Sequence, residues 1–275
     1  MIAERSFKIF PALRDWPEGV TDLAAASEKS RSLRLTAGAS GWETLARLRQ
    51  LEDLWCFGVN ETAFLHICDC VSLHNLHIET LKSDKLGPLQ KLPALRVLSI
   101  DSCSRVHSLA ELSHLEGLEG LAIINFKNVH DAGPLSGLTN LQELAIAGST
   151  WTRMKIESLQ PLSSLTALRQ LHLTNLKVVN ESLKPLAALA RLERLEIANF
   201  YPMEEFAWLS GKLKNTCCSW FQPYVDVSFL ECPRCGGGNS VMLSGKGKPV
   251  LCRTCDRVRL ERHVDSFMKI AASAA

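Results

Sequence analysis

Apolar residues in this sequence recur in a short alternating motif, Leu-x-x-Leu-x-(Leu/Ile/Cys), that returns along most of the chain. Its seven clear copies are LEDLWC from Leu51, LHNLHI from Leu73, LRVLSI from Leu95, LEGLAI from Leu118, LQELAI from Leu141, LRQLHL from Leu168 and LERLEI from Leu192. Successive copies begin 22, 22, 23, 23, 27 and 24 residues apart. The alternation at the end of each copy is typical of a short strand with one buried face. One such strand cannot bury its face alone, so the repeats are predicted to stack in parallel over a continuous leucine core.

A second motif precedes most copies, in the segments PLQKLPAL, ELSHLEGL, PLSGLTNL, PLSSLTAL and PLAALARL. Leucines three residues apart suit a 3₁₀ or short helical turn. Proline is tolerated at the start of such a turn. A weaker early copy, SRSLRL, places Leu33 and Leu35 21 residues before Leu54 and Cys56. The two motifs together predict a curved solenoid with a parallel sheet on its concave side and short turns on its convex side.

This pattern, over about residues 30–210, resembles the leucine-rich repeat family, in particular the short internalin-like repeats and those of cytoplasmic bacterial proteins. The resemblance implies an α/β horseshoe. One departure is the asparagine that the family usually carries at the ninth position, which is replaced here by Val59, Leu81, Cys103, Phe126, Ser149, Leu176 and Phe200. We therefore expect that interior row to be mostly apolar. The long repeat contains STWTRMKIES, in which Trp151 and Arg153 either form a rim contact or belong to a longer turn that packs its own tryptophan.

The flanking segments break the pattern. The ends of a solenoid expose its core and need caps. We assign residues 1–29 to an N-terminal cap, 30–210 to about eight repeats, 211–230 to an aromatic-rich C-terminal cap or linker, and 231–275 to a separate module.

That module contains two Cys-x-x-Cys pairs, Cys232 with Cys235 and Cys252 with Cys255, separated by sixteen residues. Two such pairs complete a tetrahedral Cys₄ site. The residues between them are predicted to form a strand, a glycine-containing turn and a second strand, and RVRLERHVDSF a third strand or a short helix. The segment resembles a zinc ribbon over about residues 229–267. We predict one structural Zn²⁺; iron is the less usual occupant of such a cage, and no βαβ pattern supports a redox role.

The strand residues that face away from the core are the candidates for binding. The middle of this face is small and apolar, whereas its two ends are aromatic and acidic or polar and mixed in charge. Candidate partner-binding residues are Trp55, Phe57, His77, Glu79, Asp101, His172, Arg194 and Glu196. Trp55 and Phe57 are of the type favoured as interface anchors, although burial under the end cap is an alternative. Glu79 and Asp101 are predicted about 5 Å apart. An open sheet offers them no pocket, so we predict no catalytic residues and no enzyme activity.

Positive charge is concentrated in the C-terminal module. The 275 residues carry a net charge of +2, but residues 231–275 contain eight Lys or Arg against four Asp or Glu. This basic excess leaves a nucleic-acid-associated factor as an alternative function. No membrane span or secretory signal is recognisable, so the ten cysteines are expected in a reducing, cytoplasmic compartment. The sequence therefore predicts a non-catalytic protein-protein interaction protein whose concave face binds a protein partner, with no membrane association.

Overall fold

The structure is a computed structural model that describes residues 9–10 and 16–274. Within these residues the repeats form one parallel sheet of nine strands in chain order. Its strands are β1 (Gly19–Asp22), β2 (Ser32–Ser40), β3 (Asp53–Asn60), β4 (Asn75–Lys82), β5 (Val97–Asp101), β6 (Gly120–Ile124), β7 (Glu143–Ala147), β9 (Gln170–Leu173) and β11 (Arg194–Ile197). Two short strands, β8 (Met154–Ile156) and β10 (Leu176–Val178), pair in parallel beside it. The predicted parallel solenoid is confirmed.

Strand register aligns the motif leucines into one continuous buried row. Leu33 pairs with Leu54, and the row continues in register through Leu76, Leu98, Leu121, Leu144, Leu171 and Leu195. From Leu54 onward each of these side chains is at most 2% exposed. Full burial of one leucine contributes about 1.5–3 kcal/mol, so this row is a main source of stability.

Short 3₁₀ turns form the convex side, as the leucine spacing predicts. They span Trp42–Arg47, Gly87–Lys91, Ala110–His114, Gly133–Gly137, Gln160–Ser164 and Lys184–Ala188, with a further one at Leu23–Ala25. One coil contains a helix instead, α1 (Glu61–Cys68), whose first turn is capped by the Asn60 side chain accepting from the Ala63 amide at 2.9 Å. Each turn buries a leucine against the strand row, which closes the core.

Strands β3, β4, β5, β6 and β9 each reach a corner, within the strand or just after it, at which the backbone enters the left-handed region. The residues at this corner are Gly58, Thr80, Ser102, Asn125 and Asn175, with φ between 48 and 66°. This conformation costs an L-residue about 1–2 kcal/mol, and Asn or Gly tolerates it best. The interior positions that follow are mostly apolar, as expected: Val59, Leu81, Cys103, Phe126 and Leu176 are at most 2% exposed.

The long coil adds its extra residues after strand β7. Trp151 is 93% exposed, so it does not pack into its own turn. The guanidinium of Arg153 lies over the ring of Phe200, 3.7 Å from its centroid. The strand pairing from Leu144 to Leu171 is unaffected by this insertion.

Two packed helices close the C-terminal end of the solenoid. They are α2 (Met203–Lys212) and α3 (Arg257–Ala274). A Cβ at Gly211 would lie 2.3 Å from the Ala271 carbonyl oxygen, so glycine is what permits this close approach. Phe267 of α3 is 1% exposed and belongs to the main core. The segment expected to form a third strand or a short helix is therefore a long helix, because its apolar residues bury on one face against α2.

A small antiparallel sheet precedes α3. It consists of β12 (Tyr224–Asp226), β13 (Ser240–Leu243) and β14 (Val250–Cys252). The turn between β13 and β14 uses Gly245 and Gly247, both at positive φ. This is the strand, glycine turn and strand that the sequence predicts.

Candidate functional site

The predicted partner-binding residues lie in two separate patches on the concave sheet. Register places Trp55 beside His77, Phe57 beside Glu79, and Glu79 beside Asp101, all on β3, β4 and β5. His172, Arg194 and Glu196 lie together on β9 and β11. Strands β6 and β7 separate the two groups. We call them the aromatic patch and the polar patch.

The aromatic patch is more buried than an open sheet surface would be. Trp55 is 8% exposed and stacks on His77, with ring centroids 5.3 Å apart and an interplanar angle of 5°. Burial lowers the pKa of His77 to about 4, although the Asp53 carboxylate acts in the opposite direction. The Nε1 of Trp55 is buried with no hydrogen-bond partner among the described residues. A buried donor without an acceptor costs about 1–3 kcal/mol. Within the described part of the chain, this patch thus contains an unsatisfied donor.

The polar patch is a connected set of hydrogen bonds. His172 Nδ1 lies 2.7 Å from Glu196 Oε2, and Thr174 Oγ1 lies 2.6 Å from His172 Nε2. Arg194 forms an ion pair with Glu196 at 2.6 Å. These side chains are held in place by one another and present mixed charge.

Residues of the N-terminal segment lie on the concave face. The sequence left burial of Trp55 and Phe57 under the end cap as an alternative, but it did not place Ile9 and Phe10 there. Ile9 is 1% exposed and packs with Val97, Ala122 and Ala145. The ring of Phe10 meets His172 edge-on with centroids 5.5 Å apart, and Trp16 lies 5.9 Å from Phe57. The only signal in the sequence was the run of small residues at the middle of this face, which leaves room for another side chain.

A pocket of about 190 Å³ remains between these N-terminal residues and the aromatic patch. Its lining includes Ile9, Phe10, Trp16, Trp55, His77 and Asp101. Glu79 is exposed and Asp101 is half-buried, where it accepts a hydrogen bond from Ser102 Oγ at 2.7 Å. The two carboxylates occupy paired positions on neighbouring strands.

The four cysteines of the C-terminal module converge on one point. Their sulfur atoms all lie within 4.8 Å of one another, with Cys232 Sγ 4.0 Å from Cys255 Sγ and Cys235 Sγ 3.8 Å from Cys252 Sγ. A tetrahedral ion with metal-sulfur bonds of about 2.3 Å requires sulfur-sulfur distances of about 3.8 Å. The cluster is therefore of the right size and chemistry to hold one metal ion with every position filled by protein.

Backbone amides support this cluster electrostatically. Hydrogen bonding from the Arg234 amide is the main cause that lowers the pKa of Cys232 to about 6. The Cys255 amide donates to Cys252 Sγ at 3.5 Å and lowers the pKa of Cys252. Amide donors of this kind favour the thiolate, which is the form that binds metal.

Most basic side chains of the module are paired with carboxylates. Asp256 accepts from the Cys252 amide at 3.0 Å and pairs with Arg234. Of the seven basic residues between Arg234 and Arg262, five form ion pairs within the described chain: Arg234, Lys246, Arg253, Arg257 and Arg259. This pairing reduces the positive charge available to a phosphate backbone.

The chain is similar to several solved repeat structures. A crystal structure of an internalin (inlF) from Listeria monocytogenes matches 67% of this chain and 53% of that chain, at 21% identity and a TM-score of 0.55. Internalin C2 (inlC2) of the same species matches 66% of this chain and 71% of that chain, at 21% identity and a TM-score of 0.45. The ectodomain of the Arabidopsis thaliana receptor kinase GASSHO1/SCHENGEN3, in complex with Casparian strip integrity factor 2, matches 72% of this chain and 25% of that chain, at 20% identity and a TM-score of 0.49. No model of a protein family matches the sequence, and no curated protein matches it.

The repeat array is a leucine-rich repeat solenoid. The chain spans about half the length of the inlF internalin structure, and at this identity the likeness shows the fold alone. Among the described residues, no helix combines the length and apolar character needed to cross a membrane.

The cysteine module is attached to the last coil of the leucine-rich repeat solenoid. The Asn199 side chain donates to the Leu243 carbonyl at 2.9 Å and accepts from the Gly245 amide at 2.7 Å, and the Lys246 amide donates to the Tyr201 carbonyl at 2.7 Å. A cavity of about 440 Å³ at this junction is lined in part by Arg153, Lys177, Glu181, Phe200 and Lys246. Backbone groups of the β13–β14 hairpin thus dock it on the last coil, two of them through the Asn199 side chain.

Proposed function

We propose that this protein is a non-catalytic interaction protein whose concave leucine-rich repeat face binds a protein partner. The observation that carries this proposal is that the face accommodates polypeptide, since Ile9 and Phe10 are seated on it through an amide hydrogen bond and apolar contacts. Recognition by a backbone donor together with side-chain pockets is a general mode of peptide binding.

The two patches supply different parts of recognition. Trp55 and Phe57 offer aromatic anchor area at one end, and Trp55 Nε1 would donate to a carbonyl or carboxylate of a partner that reaches this buried atom. Glu79 and Asp101 beside them, with the polar patch of His172, Arg194 and Glu196 at the other end, would set specificity and orientation.

For the C-terminal module, the proposal is one structural Zn²⁺ held by Cys232, Cys235, Cys252 and Cys255. A closed set of four thiolates leaves no open position for water or substrate, so the ion would supply stability rather than chemistry. A ribbon this small buries too little core to be stable alone. The free thiols of the solenoid core, such as Cys56 and Cys68, favour a reducing compartment such as the cytoplasm.

A nucleic-acid-associated role for the module has less support. Five of its basic residues are engaged in ion pairs, as described above. Weak retention on RNA and DNA at low salt is therefore expected.

The test of partner binding compares matched variants of the intact protein. Proteins retained by the wild type are identified by mass spectrometry, and the affinity of the purified candidate is measured by calorimetry. Phe57→Asp and Glu79→Lys are expected to weaken binding at least tenfold, whereas Glu157→Lys, an exposed change outside the concave strands, leaves it unchanged. Equal affinity for all three variants would contradict assignment of the site to the concave face.

A further inference from the structure

We propose that the concave face is a peptide groove occupied in cis by the chain's own N-terminal segment, which acts as an intramolecular ligand that a partner must displace. We call this N-terminal segment the strap. Its described residues that contact the concave face are Ile9, Phe10 and Trp16. Displacement by a partner rests on the function proposed above, whereas occupation of the groove does not.

The seat for Ile9 is built from residues with small side chains. Ile9 packs with Ala122 and Ala145, both 0% exposed, and with Val97. A Cβ on Gly120 would lie 2.9 Å from Ile9 Cγ2, so this strand position has room for Ile9 only because it is glycine. These residues occupy successive strands in register, Gly120 next to both Val97 and Glu143. Without an occupant, this apolar floor would face water in the middle of the concave sheet.

A buried carboxylate fixes the backbone of the strap. Glu143 is 7% exposed although it lies on the solvent side of β7, and its Oε2 accepts the Ile9 amide at 3.3 Å. A buried carboxylate is costly unless it is hydrogen-bonded. The groove therefore contains both an apolar seat and an acceptor for a peptide amide, which is the pair of features that an extended polypeptide ligand matches.

The strap contacts extend across the groove from one patch to the other. Phe10 contacts His172 on β9, and Trp16 contacts Phe57 on β3. These strands are five positions apart in the sheet, which corresponds to about 24 Å. The strap thus touches both predicted binding patches, and a protein ligand that used them would meet these three side chains.

The described strap residues leave space beside them, which favours exchange. A pocket of about 190 Å³ lies beside Ile9 and Trp16 and includes Trp55 in its lining, and Trp55 Nε1 is buried without an acceptor among the described residues. A tethered ligand competes at an effective concentration in the millimolar range for a short linker, so moderate contacts suffice to hold it. A partner of the same class would be a polypeptide segment with adjacent aliphatic and aromatic residues and an acceptor for Trp55.

Occupation in cis is tested by a change in the groove that leaves the strap sequence intact. In the full chain, Gly120→Leu places a side chain where Ile9 sits, while the added Cβ lies at an ordinary 3.4 Å or more from Val97. Limited trypsin cleavage after Lys8, at the bond that contains the Ile9 nitrogen, is expected to be at least tenfold faster in this variant. Gly137→Leu on the convex side, with nothing within 4 Å of its Cβ, is the control. Equal cleavage rates in wild type and Gly120→Leu, with circular dichroism unchanged, would overturn the proposal.

Competition is tested in trans. A fluorescein-labelled peptide of residues 1–18 is expected to bind the full chain carrying Ile9→Asp and Phe10→Asp at least tenfold more tightly than wild type, by fluorescence polarisation. Adding Gly120→Leu to that variant, or the two Asp changes to the peptide, should abolish binding. Equal binding to both chains, or none to the vacated one, would refute a peptide groove. No outside partner enters either assay, so their failure is distinct from failure of the proposed function.

Discussion

Acid is expected to weaken the fold through His77. Burial, including the stacked ring of Trp55, keeps this imidazole neutral and lowers its pKa to about 4, with the Asp53 carboxylate opposing the shift. The unfolded chain has an ordinary histidine pKa of about 6.5. Because the folded pKa is the lower one, the unfolded state binds more protons between these two values. Stability is fully present above about pH 6.5 and is lost as pH falls towards about 4.

The size of the effect follows from the two pKa values. Linkage gives a loss of about 2 kcal/mol on going from about pH 7.5 to about pH 5. The imidazole is half-buried rather than fully enclosed, so solvent screening makes this an upper value. A change of this size is a substantial fraction of the stability of a typical domain.

The assay is urea unfolding across this pH range, with wild type compared with His77→Gln. Other titrating groups, including the cysteine cluster, contribute equally to both chains, so the difference between the two free energies isolates His77. His74→Gln, a change at an exposed histidine before the same strand, is the control and should follow wild type. If the difference between wild type and His77→Gln stays constant between about pH 7.5 and about pH 5, the reasoning from burial is wrong.

Three further changes test other parts of the structure. Cys252→Ser is expected to abolish the zinc binding proposed for the cysteine cluster and to raise hydrogen exchange in β13, β14 and the start of α3, while the central strands stay protected. The same zinc content in this variant and in the wild type, by metal analysis, would contradict the proposal. Phe267→Ala should cost about 3–5 kcal/mol in urea unfolding, since its side chain lies in the main core; a loss below about 1 kcal/mol would show that α3 is not part of the cap. Gly148→Ala should lower the free energy of unfolding by about 1–3 kcal/mol, because its Cβ would lie 2.3 Å from the Thr152 carbonyl oxygen. Gly137→Ala is the near-neutral control, because nothing lies within 4 Å of its Cβ. Equal thermal midpoints for the two variants would refute the clash.

The solenoid could be predicted because its information is local and repeated. The alternation that places Leu54 and Leu76 in the core is contained in six residues, and seven copies of it fix both strand register and repeat length. The cysteine cluster was predictable for a related reason, since two Cys-x-x-Cys turns restrict where four sulfurs can meet. In both cases the residues of a short motif are enough to predict the local geometry.

The features that sequence reasoning missed depend on contacts between distant residues. Ile9 bonds to Glu143, 134 residues away, and nothing near either residue specifies the other. The length of α3 follows from burial of Phe267 against the solenoid end and from Gly211 on α2, which are likewise distant along the chain. Arg253 counted as positive surface in the sequence, but it pairs with Asp226 across the ribbon. Small residues at Ala122 and Ala145 indicated a gap in the concave face without indicating its occupant.

The insertion point after strand β7 has a consequence for how the coils tolerate changes in length. The interval from Leu144 to Leu171 is 27 residues against 22 or 23 for the coils before it, yet the paired strands keep their register. Extra residues enter after the strand, between Ser149 and Arg153, where Trp151 projects freely into solvent. Insertion at that edge changes the rim and leaves the groove intact. A label or a grafted binding loop placed there is therefore expected to report on the protein without disturbing the concave face.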